Sequence, residues 1–131
     1  MKRYKLGDRQ FKAFKEETLK MWKWLGLQSW RLRVEHTTLK ESDMVAQCVW
    51  WGDARHAEIY LAKSSSTRFS IEEIKKIARH EVAHLLLADF ELAFTKGRKL
   101  IPAQEEEVRT AAEKLVNRIT QSWGSSTPSI A

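Results

Sequence analysis

The chain switches between two hydrophobic periods, and the switches divide it into elements. From about Asp8 to Leu25, Phe11, Phe14, Thr18, Trp22 and Leu25 recur three and four positions apart, with Leu19 and Met21 flanking the stripe. That spacing predicts an amphipathic helix with Asp8 as its N-cap and Gly26 as its stop. In Trp30-Arg31-Leu32-Arg33-Val34-Glu35-His36 apolar and charged residues alternate, as a half-buried strand requires. Met44 to Trp51 is more uniformly apolar and predicts a more buried strand, Gly52-Asp53 marks a turn, and His56 to Ala62 alternates again. Three strands on short connections predict an antiparallel meander. Ser70 followed by Glu73 has the form of a capping box and opens a helix reaching about Phe94, apolar nearly all round at Leu85-Leu86-Leu87-Ala88. A loop holding Gly97 and Pro102 leads to a last helix over about Ala103 to Gln121, with Val108, Ala112, Leu115 and Ile119 on one face. The expected fold is α+β: N-terminal helix, three-stranded mainly antiparallel sheet, long central helix and C-terminal helix.

Length keeps this picture to one domain. The 131 residues are expected to form a single unit over 1–121 with a flexible tail over 122–131, and a unit of that size buries enough surface to fold without disulfides. Cys48 is the single cysteine, so nothing suggests an oxidising compartment. The charges at the N-terminus lead into no apolar stretch, so no signal peptide is expected, and no segment approaches the ~18 apolar residues of a membrane span. The expected location is the cytoplasm. The net charge of +6 invites a weak contact with nucleic acid. The basic residues are scattered, however, over Lys2 to Lys23, Arg31 and Arg33, Lys75 to Arg79, and Lys96 to Lys99, which suits the solvated faces of helices. The six tryptophans are read as packing rather than as platforms for bases. No feature fixes an oligomeric state.

One motif carries chemistry. His80-Glu81-Val82-Ala83-His84 is an HExxH sequence within the second long helix. Residues four apart differ by about 40° around a helix axis, so both imidazoles can meet one ion. Glu81 lies about 100° to the side, poor as a ligand but placed to reach a water there. The plain alternative is a pair of hydrogen-bonded histidines with no metal. A catalytic zinc takes three protein ligands, and no histidine follows His84. Asp89 is more than a turn away, so the acidic run Glu105-Glu106-Glu107 is the remaining supply. Against a buried face of Val108, Ala112, Leu115 and Ile119, Glu105 lies nearest, while Glu106 is about 140° and Glu107 about 120° away. Glu105 is therefore the candidate third ligand and Glu106 the runner-up. The whole run also complements the helix dipole, which accounts for Glu106 and Glu107 without a metal.

The order of N-terminal helix, short sheet, His80-Glu81-Val82-Ala83-His84-Leu85-Leu86-Leu87 helix and a helix opening with glutamates resembles the minimal gluzincins. These are small zincin-like metallopeptidase domains of bacteria and phages, including the ImmA/IrrE-like group; the SprT-like domains are more loosely similar. In the ImmA/IrrE-like pattern small or apolar residues follow the glutamate ligand at three and seven positions, as Val108 and Ala112 follow Glu105. The resemblance implies zinc held by His80, His84 and Glu105, Glu81 as catalytic acid and base, a protein or peptide substrate, and a cytoplasmic setting, the host's if a phage encodes the chain. SprT-like domains use a third histidine, which this chain lacks. An extended substrate would add to a sheet edge, for which His56 to Ala62 is the candidate, with Tyr60 or His56 available to an oxyanion. Two alternatives stand beside the peptidase: a non-catalytic binding module on the same fold, and a protease that reaches DNA-associated proteins through the basic surface.

Overall fold

The computed structural model describes residues 2–41 and 43–95 and, beyond them, residues 103, 106, 107, 110, 111, 113, 114 and 116–118. A two-residue strand, β1 (Tyr4–Lys5), precedes α1 (Asp8–Trp24); then come β2 (Arg31–Thr37), β3 (Ala46–Trp51), β4 (His56–Ala62), the short β5 (Ser64–Ser65) and α2 (Ile71–Thr95). The described residues between 103 and 118 are helical. The predicted loop at Gly97 and Pro102 and the predicted tail lie outside the described residues. No described helix is long and apolar enough to cross a membrane.

Helix α1 begins one residue earlier than the sequence suggests. Gly7 rather than Asp8 is the N-cap, and the Gln10 side chain accepts the Gly7 N–H at 3.1 Å. At the other end Gly26 adopts φ +70°. That left-handed turn brings Leu27 N–H to Trp22 C=O at 3.0 Å and Gly26 N–H to Lys23 C=O at 3.1 Å, the pair of bonds that closes a helix when glycine follows it. Helix α2 starts as expected: Ser70 Oγ accepts from Glu73 N–H at 3.1 Å, and Glu73 Oε1 accepts from Ser70 N–H at 2.9 Å.

The sheet is not a meander. Its order is β2-β4-β3, with β4 antiparallel to β3 and parallel to β2. The strand expected at an edge, His56–Ala62, is therefore central, and the strand expected to be more buried is an edge. Burial explains the inversion. Ala57, Ile59 and Leu61 are all fully buried and meet Phe14 and Met21 of α1 and Ile74, Val82 and Leu85 of α2 in one core. Strand β3 instead ends in the exposed Trp50 and Trp51. With Trp24 also exposed, packing accounts for Trp30, which is buried, but not for every tryptophan; Trp123 lies outside the described residues. A second ribbon, β1 against β5, was too short to show a period.

Two polar links fix α2. Arg79 Nη1 donates to Glu17 Oε2 of α1 at 2.8 Å, with the two side chains only 3% and 6% exposed. Further along, Asp89 Oδ1 accepts from Trp30 Nε1–H and from Arg55 Nη1, both at 2.8 Å. Arg55, at φ +48° in the turn between β3 and β4, thus clamps that turn to α2.

Candidate metal centre

The capping box sets the phase of α2, and phase distributes its side chains. Ile74, Ala78, Val82 and Leu85 enter the core, and Arg79 turns toward α1. His80 and His84 point elsewhere together: their Nε2 atoms approach to 3.2 Å, with ring centroids 4.8 Å apart and planes at 77°. Two nitrogens bound tetrahedrally to one zinc at ordinary lengths stand about 3.3 to 3.4 Å apart. The motif's geometric demand is met, and the donor set suits zinc. The same separation accommodates an N–H···N bond between the rings in one pairing of tautomers.

Protonation favours the ligating form. Burial lowers the pKa of His80, and the neighbouring His84 lowers it further; burial also lowers that of His84, against the pull of Glu113. Neutral imidazole is what binds a metal. Glu81 is buried, and burial first, then the negative Glu113, push its carboxyl up to about 7. A carboxyl poised there exchanges protons readily near neutral pH.

A second carboxylate approaches this corner, and it is not one the acidic run supplied. Glu113 Oε1 stands 3.8 Å from His84 Nδ1. Val116, three residues on, is fully buried; the predicted stripe of Val108, Ala112, Leu115 and Ile119 lies outside the described residues. Glu106 and Glu107 share an exposed face with Ala103, Thr110, Ala111 and Lys114. Glu105 lies outside the described residues. Among the described residues no three His, Cys, Asp or Glu side chains converge as a complete metal site. The structure brings two histidines together, with Glu81 beside them and Glu113 approaching. The signal for Glu113 was its place three before Val116; the competing Val108 stripe hid it.

Tyr60 and His56 are not brought to the histidines. They project from β4 on the side opposite Ala57, Ile59 and Leu61, hence away from α2. There Glu58 accepts from Tyr60 Oη–H and from His56 Nε2 at 2.9 Å. The carboxylate acceptor raises the Tyr60 pKa to about 12. Asp89, committed to Trp30 and Arg55, is also unavailable to the site. The element near the site is β3: its Cys48, paired with Ile59 on the core face, lies close enough to Glu81 that burial, with that carboxylate, raises its thiol pKa.

Fold and site together define a small α+β protein with a few-stranded, mostly antiparallel sheet and a paired-histidine corner on its longest described helix. No protein-family model, curated protein or solved structure matches the chain, so its chemistry must be argued from that corner.

Proposed function

We propose that this chain is a zinc-dependent metallopeptidase of minimal zincin type. The observation that carries the reading is the 3.2 Å approach of His80 Nε2 and His84 Nε2, beside a buried carboxyl tuned near neutrality. His80 and His84 hold the ion. The third donor is Glu105 of the C-terminal segment by helical phase. Glu113 stands 3.8 Å from Nδ1 of His84, the ring nitrogen turned away from the ion, where a carboxylate orients the imidazole; alanine at Glu105 should therefore cost more zinc affinity than alanine at Glu113. Zinc bound there supplies positive charge that acidifies water and polarises a scissile carbonyl. Glu81, off to one side of the histidines, takes the water's proton and delivers it to the leaving amine. Its buried setting suits both halves of that exchange, because burial lets it hold a proton that an exposed carboxylate would release.

The substrate would lie along β3 rather than β4. Among the described residues no strand pairs with the outer edge of β3, and an unpaired edge offers main-chain donors and acceptors to an extended peptide. Changing Glu81 to Gln tests the assignment: hydrolysis of a denatured protein substrate should stop while zinc stays bound. Undiminished turnover would remove Glu81 from its role.

A further inference from the structure

Strand β3 and helix α2 run side by side in the same direction. The Glu81 carboxylate is felt at Cys48 at one end, and a Leu92 methyl comes within 3.4 Å of the position a side chain would take on Gly52 at the other. Between those points stands Trp50. It pairs with Ala57, a fully buried residue, so it projects to the same face of the sheet as Cys48, the face α2 covers. A large aromatic on a core face should be buried, yet Trp50 is 43% exposed. Its neighbour Trp51 is equally open at 48%, but it projects from the outer face and is stacked on His56 at 5.3 Å. Trp50 is thus an apolar surface at the free edge on the histidine side.

We infer that Trp50 forms a subsite selecting an apolar side chain, aromatic or branched, in an extended peptide added to β3. The inference rests on the peptidase reading and names the class of peptide that site takes. Strand geometry gives the selection a period. Trp50 lies two residues, about 7 Å, beyond Cys48, so the selected peptide residue is two removed from the one facing Cys48 and Glu81. The peptide residues on either side of it project toward the outer face, past Val49 and Trp51, and are tolerant of sequence.

Binding can be read without turnover. Short threonine-rich peptides carrying one phenylalanine, moved a position at a time, are titrated against the Glu81→Gln protein loaded with zinc. One placement should bind roughly tenfold or more tighter than the all-threonine peptide, as burial of a large apolar side chain provides. Trp50→Ser in the same background should abolish that preference, and Trp51→Ser should leave it. Equal affinity for every placement, or a preference that survives Trp50→Ser, overturns the subsite. The peptidase reading fails separately: the selected peptide then binds through Trp50, but the unmodified protein with zinc does not cut it.

Discussion

Arg79 and His80 are chain neighbours about 100° apart on α2, and the fold treats their polar groups in opposite ways. On the Arg79 side a charge is buried against a carboxylate of another helix at 2.8 Å, so the charge is neutralised within the protein even though Arg79 Nε makes no hydrogen bond among the described residues. On the His80 side two imidazoles converge on one point, a carboxyl is buried without an ion-pair partner among the described contacts, and Glu113 stops 3.8 Å short of the nearer ring. The first arrangement holds the helix in place. The second leaves polar groups in a partly desolvated setting that a bound ion would compensate. Stability and site chemistry are therefore assigned to adjacent faces of one helix, and substitutions should separate them.

The largest effect is expected on the Arg79 side. Glu17→Ala leaves a buried guanidinium without its carboxylate and should cost about 3–5 kcal/mol in denaturant unfolding, whether or not zinc is added. A cost under about 1 kcal/mol would mean the pair is not what locks α1 to α2. Next comes the other face. His84→Ala should change zinc-free stability by less than about 1 kcal/mol, since it relieves a costly histidine as well as removing contacts. It should also erase the stabilisation that zinc gives the unmodified protein, about 2.7 kcal/mol at a hundredfold excess over Kd. Equal stabilisation of both proteins by zinc would place the ion elsewhere.

How far the sequence foretold this contrast depends on whether a feature is local. The HExxH spacing determines where two side chains point on one helix, and the 3.2 Å approach follows from it. The Ser70–Glu73 cap was equally local. Strand pairing was not. Alternation at Arg31–His36 and His56–Ala62 shows which side chains share a face but not which strand lies next, so the parallel pairing of β2 with β4 escaped it. The uniformly buried set Ala57, Ile59, Leu61 and Ala62 was the available hint that β4 is central. Glu17 read as one more charge on a solvated helix, because its partner Arg79 is 62 residues away in sequence. Glu113 was missed because it lies about 140° round the helix from Val108, off the face that the apolar stripe selects.

Two smaller effects sharpen the division. Asp89→Ala removes the shared acceptor of Trp30 and Arg55 and should cost about 1–3 kcal/mol, with zinc affinity kept because Asp89 takes no part in the site. Loss of zinc binding in that variant would join the two faces of α2 that the account separates. The smallest effect concerns Glu58 on the outer face of the sheet. Its carboxyl is held below the ordinary value of 4.5, chiefly by the hydrogen bond from Tyr60 and then by that from His56. The unfolded chain therefore binds more protons as pH falls below that value, so the group's contribution is complete above about 4.5 and fades below it. Tyr60→Phe should lower stability at neutral pH, and the difference should narrow as unfolding is measured at progressively lower pH. A gap that widens on acidification would contradict the hydrogen bond. Hydrolysis should be unaffected by Tyr60→Phe, since Tyr60 lies on the face away from α2.

The central claim is that His80 and His84 share one metal ion, and metal stoichiometry tests it most directly. After dialysis against excess zinc and removal of the free ion, the protein should carry one zinc per chain, and His84→Ala should carry essentially none while keeping its helical circular dichroism. A folded native protein that retains no zinc, or a His84→Ala variant that retains as much as the original, would contradict it.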